Sequence, residues 1–87
     1  MRRTVRTAAR PEHVILGTIL RERRESLQLS QRDVAKILDR TQAYVWKVEQ
    51  GIQHIDLPTL MDFADLLGVR ASELVRQVET GTARQKS

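Results

Sequence analysis

Gln42, Ala43, Trp46 and Lys47 recur at intervals of one, three and four positions, the spacing that gathers side chains on one face of an α-helix. Together they offer an amide that can donate and accept at once, a methyl, an indole and an ammonium. Such a set suits the edges of base pairs in the major groove better than it suits bulk water. An amide can pair with adenine N6 and N7, a lysine with guanine O6 and N7, and a methyl with the methyl of thymine. The interleaved Val45 and Val48 fall on the opposite side and turn inward.

A face of this kind needs a helix with defined ends. Thr41 precedes the run as a natural N-cap, and Gly51 follows it where a left-handed residue usually closes a helix. Upstream, Ser30 and Asp33 form a short capping box ahead of Val34, Ala35 and Leu38, which predicts a helix from Gln31 to Leu38. The two short helices are joined by Asp39 and Arg40, a tight turn.

The chain from about Leu16 to Leu74 resembles the phage repressor and Cro-type, or Xre-like, helix-turn-helix family. The resemblance rests on L-R-E-R-R-E-S-L-Q-L-S-Q (Leu20 to Gln31), on the two-helix unit from Ser30 to Gly51, and on I-D-L-P-T-L-M-D-F-A-D-L-L-G-V (Ile55 to Val69). In the last segment Asp56 caps a fourth helix, Pro58 sits in its first turn and Gly68 ends it. Five elements in order, with matching caps, imply an all-α, compact five-helix bundle of the lambda-repressor-like DNA-binding type.

The resemblance also implies roles. Gln42, Ala43 and Lys47 match base-contacting positions, with Trp46 between them larger than the polar residues common there. Gln31 matches a glutamine that bonds a phosphate and braces the first residue of the recognition helix, here Gln42. Arg40, Thr41 and the main chain around Gln53 and His54 are expected near phosphates, fixing register without reading sequence. Arg24 and Glu49 match a structural pair between the first helix and the end of the third, a stabilising contact rather than a DNA contact. At Gln28 and Asp39 the family commonly has glycine. Both are expected in the left-handed region, which Asp enters more readily than Gln.

Organisation follows from these elements. A basic arm covers residues 1–11, a DNA-binding domain 12–79, and a flexible tail 80–87. Helix 1 is expected from about Glu12 to Leu27, with Leu16, Ile19, Leu20 and Leu27 as its stripe, and helix 5 from Ala71 to Glu79. The 87 residues make one domain. With aromatics at 3%, its core must come from aliphatic side chains around Phe63.

The net charge of +4 lies in the ends of the chain. Residues 1–10 carry Arg2, Arg3, Arg6 and Arg10 and no acid, whereas residues 11–79 hold nine basic against eleven acidic side chains. The arm is either a contact for the minor groove and phosphates or a solvated tail.

The absence of cysteine excludes disulfides and thiolate metal sites and fits a cytoplasmic setting, bacterial or phage. No segment has the length of a membrane span. His13 and His54 stand apart without companion ligands, so no metal and no cofactor are expected. Neither a nucleophile elbow nor a phosphate-cradling glycine loop is present, so no enzyme is expected.

Two functional classes fit. One is a sequence-specific double-stranded DNA-binding regulator, a small homodimeric repressor or controller acting on a palindromic operator, with Leu66, Val75 and Val78 as the expected dimer contacts. The other is a protein-binding module on the same fold, an antitoxin or antiactivator, which the acidic balance of residues 11–79 leaves open.

Overall fold

A computed structural model describes residues 10–86, with side chains through residue 83. Among them lie α1 (Pro11–Ser26), α2 (Gln31–Leu38), α3 (Gln42–Gln50), α4 (Leu57–Leu67) and α5 (Ala71–Lys86). The second to fourth helices begin on side-chain caps. Ser30 Oγ accepts from the Asp33 N–H at 3.0 Å while Asp33 Oδ2 accepts from the Ser30 N–H at 2.8 Å, a complete capping box. Thr41 Oγ1 accepts from the Tyr44 N–H at 3.0 Å, and Asp56 Oδ1 from the Thr59 N–H at 2.9 Å. The Thr59 side chain first, and then this backbone bond, hold the Asp56 carboxyl below its ordinary range.

The first four helices end alike. Gln28, Asp39, Gly51 and Gly68 all have positive φ, at 61°, 57°, 80° and 72°. In each case the following residue donates back five positions: Leu29 to Arg24 O, Arg40 to Ala35 O, Ile52 to Lys47 O and Val69 to Ala64 O, at 2.8–3.1 Å. This is the Schellman pattern, which satisfies carbonyls that a helix end leaves free. Glycine supplies the conformation at two of the four ends; Gln28 and Asp39 reach it with a side chain.

Leu20, Val34, Ala35, Val45, Val48, Phe63, Ala64, Leu67 and Leu74 form the core, drawn from all five helices. α1 lies across the molecule against both α3 and α5. Its stripe differs from expectation at one end. Leu27, the C-cap, is 44% exposed, and Leu29 packs against the core in its place. The left-handed turn at Gln28 breaks the helical period, so the inward position falls two residues further on.

α5 also departs from expectation, running on past Glu79 to Lys86. Gly81, read as part of a tail, lies inside this helix, where a Cβ would come within 3.0 Å of Ile15 Cγ2. The lack of a side chain lets the last turns of α5 approach α1.

Candidate nucleic-acid interface

The face expected of α3 is present. Val45 and Val48 are fully enclosed, while Gln42, Ala43, Trp46 and Lys47 are exposed, Trp46 at 47%. An indole left half in water next to an amide and an ammonium is a poor solvent surface and a good contact surface.

Behind this face runs a chain of polar contacts. Arg24 Nε donates to Glu49 Oε2 at 2.7 Å and Arg24 Nη2 to Glu49 Oε1 at 3.1 Å, a bidentate pair. Its side chains are 11% and 2% exposed, so the pair is largely desolvated. The bond to Glu49 raises the guanidinium pKa above its already high ordinary value. Arg24 Nη1 also donates to Leu29 O at 2.7 Å, tying the pair to the turn after α1. Gln31 Nε2 donates to Glu49 Oε1 at 2.9 Å, and Gln42 Nε2 reaches Gln31 Oε1 at 3.5 Å. Gln31 is therefore held from within the protein and touches the first residue of α3.

The expected phosphate positions fall as follows. Thr41 Oγ1 accepts the α3 cap bond with one lone pair and keeps its hydroxyl proton to donate. Arg40 lies over the Tyr44 ring, 4.8 Å from its centroid, and its Nη2 donates to Thr59 Oγ1 at 3.4 Å, which braces it at the edge of α3. Gln53 Nε2 donates to His54 O at 3.0 Å. The His54 ring is turned to α1, stacked on His13 with centroids 4.7 Å apart and planes at 18°. The two histidines, read as isolated, are thus neighbours. Among the described residues no cluster of three or more His, Cys, Asp or Glu side chains could hold a metal, and no helix is long and apolar enough to cross a membrane.

Arg2, Arg3 and Arg6 lie outside the described residues. Arg10 does not extend as an arm residue. It is the residue before α1, and its Nε and Nη2 each donate to the Glu12 carboxylate at 3.3 Å. A carboxylate two residues on, in the first turn of a helix, competes for the guanidinium at short range. The Glu12 pKa is lowered, first by a backbone hydrogen bond and then by Arg10.

Two cations were missed. Arg32 and Lys36 are exposed on α2 and share a shallow groove with Arg40 and Gln42. Their spacing of four, continued to Arg40, was legible as one helical face. Each is usually a solvated charge when taken singly; beside the recognition face they form a cationic rim.

Of the expected dimer residues, Val75 is 44% exposed, Leu66 packs against the molecule's own core, and Val78 is half-buried. Val75 and Val78 line an apolar groove with Leu16, Ile55 and Leu60. Leu57 and Met61, on the first turns of α4, are more exposed than any of the three, at 65% and 54%.

Helix order, caps and an outward polar face on the second helix of the pair define the class of helix-turn-helix DNA-binding regulators. The family model described as a helix-turn-helix domain matches residues 15–78, and the chain belongs to that family, in its Xre-like branch. The structure is similar to the restriction-modification controller protein C.AhdI from Aeromonas hydrophila, at 31% identity and a TM-score of 0.70, over 75% of this chain and 98% of that one. It is also similar in fold to the clp gene regulator ClgR from Corynebacterium glutamicum, at 19% identity and a TM-score of 0.79, covering 91% of this chain and 83% of the other. A hypothetical transcription factor from Neisseria, NHTF, superposes with a TM-score of 0.67 at 24% identity, over 83% and 85% of the two chains. Among curated proteins none matches the sequence.

Proposed function

We propose that the chain is a sequence-specific regulator of transcription that binds double-stranded DNA as a homodimer, with α3 in the major groove of each half of a palindromic operator. The observation that carries this reading is the division of α3 into a sealed side, Val45 and Val48, and an exposed side, Gln42, Ala43, Trp46 and Lys47. A helix held this firmly from behind can present base-reading groups at fixed height. Gln42 and Lys47 then supply directional hydrogen bonds, Ala43 a methyl contact, and Trp46 a broad apolar plate.

Gln31, Arg40 and Thr41 lie beside the start of α3 and serve as phosphate contacts, with Arg32 and Lys36 extending the same rim. The loop at Gln53 and His54 holds the phosphate backbone at the other end of α3. Arg2, Arg3 and Arg6 add charge from the arm. Arg24 and Glu49 hold the frame.

One such module reads only a few base pairs, so useful specificity calls for two half-sites about one DNA turn apart, read by a two-fold dimer. The likeness to a restriction-modification controller protein supports a repressor or controller role of the same kind.

The test is a gel shift with DNA from the chain's own promoter region against random duplex, over a series of salt concentrations. Preferential binding is expected, with Gln42→Ala losing about 1–3 kcal/mol on the operator and little on random DNA. Equal affinity for both DNAs would overturn the reading and favour a protein partner.

A further inference from the structure

Glu49 lies at the C-terminal end of α3, buried, and seven residues from Gln42. Its carboxylate has no proton to give, so every partner must approach it as a donor. Arg24 supplies two such donors and Gln31 Nε2 a third. For Gln31 this commitment has a directional result. With its NH2 end fixed on Glu49, its carbonyl end is the one facing Gln42, and Gln42 in turn meets it with Nε2.

We propose that Glu49 is a positioning residue for base recognition: through Gln31 it fixes which way round the Gln42 amide is presented. The proposal rests on the reading above that Gln42 meets a base. Oriented in this way, Gln42 keeps Oε1 and one N–H for DNA, an acceptor beside a donor. That pair matches adenine, which offers the N6 amino group as donor and N7 as acceptor. If Gln31 turned over, its NH2 would occupy Gln42 Oε1 and leave only N–H groups outward, the pattern that suits the two acceptors of guanine, N7 and O6. A buried carboxylate that touches no base thus selects between two purines.

The test uses the full chain and duplexes selected from a randomised pool, with each base of the selected site then varied singly. Three variants are compared with the parent: Gln42→Ala, Glu49→Gln and Gln31→Met. The parent is expected to prefer adenine over guanine at one position of each half-site, and Gln42→Ala to abolish that preference. Glu49→Gln gives Gln31 a partner that can donate or accept, and Gln31→Met removes the link while leaving the Arg24–Glu49 pair in place. Both are expected to reduce the adenine-to-guanine ratio at that position by about fivefold or more, with preferences elsewhere in the site unchanged.

A merely structural role for Glu49 would lower affinity for all sequences alike and leave the ratio intact. If Glu49→Gln does not fold, Gln31→Met alone decides. An unchanged ratio in the folded variants, with Gln42→Ala still losing its preference, overturns the proposal and spares the reading beneath it. No effect of Gln42→Ala on any base preference overturns both.

Discussion

Gly17, in the middle of α1, lies directly against the carbonyl of Glu49. A Cβ on Gly17 would meet Glu49 O, and would stand 2.6 Å from Val48 O and 2.8 Å from Glu49 C. The contact is backbone to backbone, so neither partner can swing aside as a long side chain would. It sets the distance between α1 and the end of α3, and with it the reach of Arg24 to Glu49.

Gly17→Ala is therefore expected to destabilise the protein. In an ordinary helix interior the exchange would gain about 1 kcal/mol of helix propensity. Here overpacking against carbonyl oxygens, about 1–3 kcal/mol, has the opposite sign and should outweigh it. Urea unfolding should show a midpoint below that of the parent; an equal or higher midpoint would show that α1 can retreat without cost.

The Arg24–Glu49 pair should respond unequally to loss of either side. Arg24→Ala leaves a buried carboxylate with Gln31 as its remaining donor, a loss of about 3–5 kcal/mol. Glu49→Ala leaves Arg24 its bond to Leu29 O and a route to solvent beside Glu25, so it should cost less. The double variant should lose less than the sum of the two. Thermal unfolding of all four proteins measures this, and additive losses would argue against coupling.

Much of this frame was legible in the sequence, because helix ends are written in local chemistry. Ser30 with Asp33, Thr41, Asp56, Gly51 and Gly68 mark boundaries that depend on few distant atoms. What stayed hidden is tertiary. Leu27 and Leu29 exchange places because a period of 3.6 cannot see the turn at Gln28. Gly17 carries no local sign of its neighbour 32 residues away, although a glycine inside a helix calls for a packing reason. Gly81 read as part of a tail because the approach of Ile15 belongs to another helix. The face of α3 was readable for the opposite reason: inward and outward positions of one helix are decided by its own sequence.

His13 gives a pH dependence. Burial, and then the neighbouring His54, lower its pKa from the ordinary value of 6.5, Arg10 acting in the same direction and Glu12 against it. Its Nδ1 is buried without a hydrogen-bond partner among the described residues. Below pH 6.5 the unfolded chain takes up a proton that the folded chain resists, so the stability present above that pH is lost as the pH falls toward the lowered value. Urea midpoints at pH 7.5 and 5.5 should differ in this sense, and His13→Phe should shrink the difference. An undiminished difference in His13→Phe would assign it to other groups.

Removal of residues 1–9 tests the arm. Each phosphate neutralised by Arg2, Arg3 or Arg6 contributes about 0.9 to the slope of log K against log salt. Three contacts would flatten the slope by roughly 2.7, with sequence preference little changed. A slope equal to that of the whole chain would mean that the arm makes no such contacts.

Dimerisation can be tested at Val75, which is exposed and whose replacement should spare the core. Val75→Glu should give a folded monomer in sedimentation, binding a half-site weakly and losing cooperative occupation of the full site. A parent protein that sediments as a monomer at high micromolar concentration, with and without DNA, would refute the proposed interface.

The shared ending of α1 and α2 leaves almost no slack in the chain. Only one residue, Leu29, stands between the left-handed Gln28 and the cap Ser30, and only Arg40 between Asp39 and Thr41. An extra residue at either junction would pull a cap off its helix or turn α3 about its axis and carry its outer face away from the groove. Length variation among working versions of this protein should therefore collect at the chain ends, leaving the two short junctions constant in length even where their residues change.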